Sequence, residues 1–127
     1  MSVLTLDHVN IATDKLAETR AFFIDVLGLT EGPRPPFPFP GHWLYAGGKD
    51  MVHLVGSSEP KQTPRDVALS HFALRIDDYE ATVSRLDAGG VAYRAIGVPG
   101  RATMQLFLQD PNGVTVELNY PGAEDTG

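Results

Sequence analysis

The sequence predicts an α+β protein built from two copies of one βαβββ module, and three observations predict it. "LDHVNI" (6–11) and "LSHFAL" (69–74) each set a histidine in a short apolar run, and each run precedes a capped, amphipathic stretch of helical period. In each half three further strand-like runs follow, separated by Gly, Pro and Asn turns. The spacing ties the halves together: His71 follows His8 by 63 residues and Glu117 follows His53 by 64. One inserted residue reconciles the offsets, so duplication of a module explains the pattern better than a solenoid array.

Module one is expected over about 3–56. Val3–Ile11 reads as its first strand. "TDKLAETRAFFIDVLG" reads as a helix with Thr13 or Asp14 as N-cap and Gly28 just past its end, and Leu16, Phe23 and Leu27 fall near one face. "LTEGPR" is a short, weak strand, "PRPPFPFPG" a proline-stiffened loop, and "HWLYAG" with "MVHLVG" a hairpin around "GGKD". Residues 57–67 are polar, carry two prolines and read as a linker. Module two, about 68–120, repeats the plan: "LSHFALRI" as strand, "DDYEATVSRLDAGG" as a helix capped by Asp77 or Asp78, then "VAYRAI", "TMQLFLQ" and "VTVELNY", the last two joined by "DPNG". Residues 121–127 are a tail.

At 127 residues the chain is one compact domain or two small packed modules. Its 43% hydrophobic and 20% charged content excludes the disordered and fibrous classes. A formal net charge of -6 argues against nucleic acid or an anionic membrane as partner. The absence of cysteine removes disulfides, thiolate zinc sites and thiol nucleophiles. With neither a signal-peptide pattern nor a bilayer-spanning run, the expected compartment is the cytoplasm.

The duplication singles out His8, His53, His71 and Glu117, expected on the first and last strands of each module. Side chains alternate across a strand, so these four share one face while Val9, Val52, Phe72 and Val116 turn toward the helices. A lone strand histidine is more often a structural residue than a ligand. Four matched positions in a repeated frame instead point to one divalent first-row metal, Fe, Mn, Co, Ni or Zn. Four ligands close a tetrahedral site, whereas an octahedral ion keeps two positions for water or a chelating substrate. Glu117 and His53 are also the candidate catalytic groups.

The same parity extends the face to Asn10, Ala73, Arg75, Thr115 and Asn119, with Met51 and Val55 beside His53. Asn10 and Asn119 are candidates to hydrogen-bond substrate or ligand residues, and Arg75 to meet an acidic substrate. Phe37, Phe39, Trp43 and Tyr45, in and after the proline loop, either wall a small-molecule pocket or pack a dimer interface. Phe107 matches Trp43 across the repeat and Gln109 matches Tyr45, so Met104 and Phe107 are expected as apolar surface on the opposite wall, with Arg101 placed to meet an anion. His42 has no counterpart and reads as surface or rim. Asp110 belongs to a turn sequence before it belongs to any chemistry.

"LDHVNIATDKLAETRAFFIDVLGL" followed by "FLQDPNGVTVELNY" resembles the vicinal oxygen chelate superfamily, and the resemblance runs from about Leu4 to Tyr120. That group holds glyoxalase I, extradiol dioxygenases, fosfomycin-resistance enzymes, methylmalonyl-CoA epimerase and bleomycin-binding proteins. The resemblance implies a glyoxalase/bleomycin resistance/dioxygenase fold, with paired modules forming a cup-shaped mixed sheet around one divalent metal ion per site and a homodimer. It places the first-strand ligands on His8 and His71 and a last-strand ligand on Glu117. At the position matched by His53, glyoxalase I has a glutamate and the epimerase a glutamine. The implied activity is metal-dependent and glyoxalase-like, on a small molecule that chelates through adjacent oxygens. The alternatives are an extradiol-type ring-cleaving dioxygenase and a non-enzymatic drug-binding resistance protein.

Overall fold

Each half of the chain folds into a four-stranded mixed sheet with the same strand order. In the computed structural model, which describes residues 3–58 and 68–122, the first half carries β1 (Val9–Thr13), α1 (Leu16–Ala21) running on into a π-helical turn (Phe22–Val26), β2 (Thr30–Gly32), β3 (Gly41–Ala46) and β4 (Lys49–Gly56). The second carries β5 (His71–Arg75), α2 (Tyr79–Ala88), β6 (Arg94–Gly97), β7 (Met104–Gln109) and β8 (Thr115–Tyr120). The sheets are ordered β1-β4-β3-β2 and β5-β8-β7-β6, the first pair of each parallel and the rest antiparallel. The chain divides into two compact units, Met1–Lys61 and Gln62–Gly127. This is the α+β, two-module architecture expected. The linker at 57–67 and the tail at 121–127 lie outside the described residues, apart from 57, 58, 121 and 122.

The repeat extends to the hydrogen-bond register. In the first unit His53 stands opposite Asn10 on one side and Trp43 on the other; in the second, Glu117 stands opposite Ala73 and Phe107. On the other face the apolar members of each alternating strand are buried: Ile11, Leu44, Val52 and Leu54 in the first unit, Phe72, Leu106, Leu108, Val116 and Leu118 in the second. Phe23 and Leu86, both at 0% exposure, are apolar helical side chains that complete the two cores. Removal of that apolar surface from water is the main term holding each helix to its sheet.

The hairpin at 46–49 turns on Gly47 and Gly48, both at positive φ (58° and 78°), the pair of conformations a two-residue turn matching the strand twist requires. Asp78 caps α2 by accepting the Ala81 N–H.

Two expected boundaries are corrected. The first strand was expected from Val3 but begins at Val9, and Val3, Leu4 and Leu6 are exposed. The parallel register Val9↔Val52 sets residues 3–5 opposite 46–48, where the hairpin turn leaves no strand to pair, and residues 6–8 opposite 49–51, the bulged start of β4. The first helix begins at Leu16, behind Lys15, with no side-chain cap. Thr13 remains the last residue of β1, fully buried, and its hydroxyl accepts the Lys15 N–H (2.8 Å), bracing the strand exit instead of the helix start. The helix also widens after Ala21: Leu27 N–H reaches Phe22 O (3.3 Å), a π-type span within a segment expected to be regular.

Candidate metal centre

In the second unit, three cross-strand rows lie on the face opposite the core: His71, Thr115 and Gln109; Ala73, Glu117, Phe107 and Arg94; and Arg75, Asn119, Gln105 and Ile96. Glu117 is a carboxylate at 7% exposure, in the row between the other two. Its Oε2 accepts from Gln105 Nε2 (3.2 Å) and Asn119 Nδ2 (3.0 Å), and its Oε1 lies 3.2 Å from His71 Nε2. His71 is fixed in turn by Ser70 Oγ at its Nδ1 (3.0 Å) and by the Phe107 ring, edge-on at 5.8 Å.

This pair passes a simple test as metal donors. Ligand atoms bound at about 2.1 Å lie roughly 3.0 Å apart on an octahedral ion and roughly 3.4 Å apart on a tetrahedral one. The His71–Glu117 separation falls between these values.

In the first unit, His53 is at 8% exposure and its ring is sandwiched. The His8 ring lies on one side (3.8 Å, 17°) and the Trp43 indole on the other (3.9 Å, 8°). His8 stands immediately before β1, where its Nδ1 meets Asp7 Oδ1 (2.7 Å) and its Nε2 is left for another partner. That hydrogen bond, followed by the charge of Lys49, holds the Asp7 carboxyl below its ordinary range.

His53 Nε2 meets Asp50 Oδ2 at 2.6 Å, and this bond lowers the Asp50 pKa. Strict alternation would put residues three apart on opposite faces. The β3–β4 ladder, however, shifts register beside Leu44 and Tyr45, pairing Tyr45 with Asp50 and skipping Met51. That bulge swings Asp50 onto the face of His53. Asp50 was missed because strand parity excludes it and nothing in the local sequence announces the bulge.

The four expected ligands therefore occur as two pairs, His8 with His53 and His71 with Glu117. In neither unit, among the described residues, does a group of three or more His, Cys, Asp or Glu side chains gather as a donor set.

Of the expected substrate contacts, Asn10, Trp43, Phe107 and Asn119 lie on the faces of these pairs, and Arg75 stands opposite Asn119. Phe37 and Phe39 stack on each other (5.1 Å) in the β2–β3 loop beneath the Arg34 guanidinium, with Phe37 6.5 Å from Trp43. Tyr45 folds its ring over Gly32 and donates its hydroxyl proton to Pro33 O.

One expected contact lies elsewhere: Met104 has the parity of Leu106 and Leu108, so it belongs to the face away from Glu117. Arg101 lies in the turn before β7. His42 binds Glu31 (2.6 Å) as a structural residue of the sheet edge, and buried Asp110 accepts the Asn112 and Val114 N–H groups within its turn. Gln105 was also missed, although it shares parity with Phe107 in the same run.

The family profile described as the Glyoxalase/Bleomycin resistance protein/Dioxygenase superfamily matches residues 5–118. The chain is 28% identical over 125 residues to Glyoxylase I 4 of Arabidopsis thaliana, covering 93% of this chain and 71% of that protein. It is equally 28% identical over 128 residues to the mitochondrial methylmalonyl-CoA epimerase of Bos taurus, covering 89% and 72%. Among solved structures, a glyoxylase/bleomycin resistance protein/dioxygenase domain from Frankia sp. EAN1pec superposes with a TM-score of 0.80 at 15% identity, covering 98% of each chain.

Proposed function

The chain belongs to the Glyoxalase/Bleomycin resistance protein/Dioxygenase superfamily, and from that membership we propose that it is a divalent-metal-dependent enzyme acting on a small molecule that presents two adjacent oxygens. The observation that carries the reading is Glu117, a buried carboxylate whose one oxygen is held by two side-chain amides while the other lies beside His71 Nε2. Such a group, costly to bury without a cation, is suited to receive one. In this reading His71, with Nδ1 engaged by Ser70 and Nε2 beside Glu117, is the imidazole ligand of the second unit, and His8, with Nδ1 engaged by Asp7, is the imidazole ligand offered by the first.

A bound divalent ion would supply Lewis acidity toward a chelated oxygen and stabilise the negative charge that develops there. The chain's own groups do the rest. Gln105 and Asn119 fix the carboxylate, and Ser70 and Asp7 set the orientation of the two ligand rings.

His53 has a different part, favoured by its bond to Asp50. With Nε2–H donated to that carboxylate, Nδ1 is the basic nitrogen, and the ring is held by stacking on both faces. In this reading it is the first unit's proton-accepting group, a role that metal ligation of the same lone pair would forbid. The equal identity to a glyoxalase and to an epimerase supports metal-assisted proton movement as the class without choosing the substrate.

The test is elemental analysis of protein purified anaerobically without chelators, paired with His53→Gln. About one equivalent of metal per site is expected in both proteins, with turnover lost only in the variant. Loss of metal in His53→Gln would make His53 a ligand instead, and absence of metal uptake by the wild type would overturn the reading and favour drug sequestration.

A further inference from the structure

The two units differ most at the far end of one row. In the first unit that row runs Asn10, His53, Trp43, Gly32; in the second it runs Ala73, Glu117, Phe107, Arg94. At Gly32 the space is taken: a Cβ there would come within 2.6 Å of the Tyr45 ring. In the second unit Gln109 stands where the repeat has Tyr45, and Arg94 where it has Gly32. The result is an open cavity of about 540 Å³ whose lining includes Val91, Arg94, Phe107, Leu108, Gln109 and Thr115, within the size range of small-molecule sites.

Arg94 is exposed, and its guanidinium lies over the Phe107 ring at 5.6 Å. No ion pair to it is found among the described residues. Nearby Asp87 accepts instead from the Tyr93 hydroxyl (2.9 Å). A fork of N–H donors stacked on an aromatic ring and open to a cavity is suited to bind a planar or tetrahedral oxyanion through two oxygens at once.

We propose that this cavity is the subsite for an anionic group of the substrate, a carboxylate or a phosphate, with Arg94 as the residue that selects it. The assignment deepens the reading of His71 and Glu117 as the chelating end and rests on it for the direction in which substrate lies. Adjacent strands are about 4.8 Å apart, so Arg94 and Glu117, two strands apart in one row, are separated by about 10 Å between Cα atoms. Phe107 stands between them in that row, so a substrate spanning both groups would lie across its ring. That ring, on the same face as Glu117 and Arg94, offers apolar cover for such a body.

The test titrates the protein, before and after incubation with a divalent metal, with benzoate, phenyl phosphate and neutral benzyl alcohol, following backbone amide NMR shifts. At least one of the two anions is expected to move the Val91, Leu108 and Thr115 signals, and the tighter of the two identifies the group. Arg94→Gln should weaken that anion tenfold or more without changing the response to benzyl alcohol. Arg94→Gly combined with Gln109→Tyr, which rebuilds the filled arrangement of the first unit, should abolish binding of all three. Failure of both anions to bind, or equal anion affinity in Arg94→Gln, overturns the subsite. Metal content measured on the same samples separates the two readings, because anion binding through Arg94 in a wild type that takes up no metal would sink the metal reading and leave the subsite standing.

Discussion

Replacement of Glu117 by glutamine separates the fold from the metal. The two oxygens of Glu117 have different neighbours: Oε2 receives two amide N–H groups, from Gln105 and Asn119, and Oε1 faces His71. In Glu117→Gln the new carboxamide therefore orients its oxygen toward the two donors and its NH2 toward His71, since the reverse would set three N–H donors against one another. Both amide bonds survive but lose charge assistance, which costs at most about 2 kcal/mol for the pair.

The metal, however, meets an NH2 group that has no lone pair to offer. Even the neighbours of metal ligands alter affinity by about 10–100-fold, so loss of a ligand oxygen should cost at least about 100-fold. At a metal concentration of about 100 times the wild-type Kd, binding stabilises the wild type by about 2.7 kcal/mol, whereas a 100-fold weaker site gains about 0.4 kcal/mol. For a chain of this length that is a metal-induced rise in Tm of roughly 10 °C against 1–2 °C. Thermal unfolding with and without added metal, with circular dichroism to confirm the fold, reads both quantities. A folded Glu117→Gln protein showing the full metal-dependent rise would refute the assignment of Oε1 as a ligand.

Two further outcomes test the frame that carries the site. Phe23→Ala empties a position at 0% exposure between helix and sheet and should lower stability by about 3–5 kcal/mol in urea titration; a loss under 1 kcal/mol would mean the first unit's core does not depend on it. Glu31 is held below its usual 4.5, first by the hydrogen bond from His42 and then by that from Arg20. A depressed carboxyl pKa stabilises the fold fully above the unfolded value and is lost as pH falls through the lowered native one. Glu31→Gln should therefore cost about 0.5–1 kcal/mol near pH 6, a modest figure since the pair is partly exposed, with the difference from wild type shrinking as pH falls below 4.5 and through the lowered native value. A pH-independent difference would assign the loss to packing.

The repeat, the order of elements along each module and the common face of His71 and Glu117 were legible because they rest on local, periodic signals. Alternation fixes a face wherever a strand is regular, and a duplicated frame marks equivalent positions even when the residues differ. Where regularity breaks, that logic fails. Asp50 reaches His53 only because a bulge reverses its parity, β1 starts only opposite Val52, beyond the bulged start of β4, and the helix at Phe22 widens under constraints that its composition does not reveal. Arg94 is the clearest case. Its own sequence context is unremarkable, and its environment follows from glutamine at 109, a residue brought beside it by antiparallel pairing of β6 and β7. Composition and period specify which residues share a face; pairing between distant segments specifies which of those faces is filled and which is left open to a ligand.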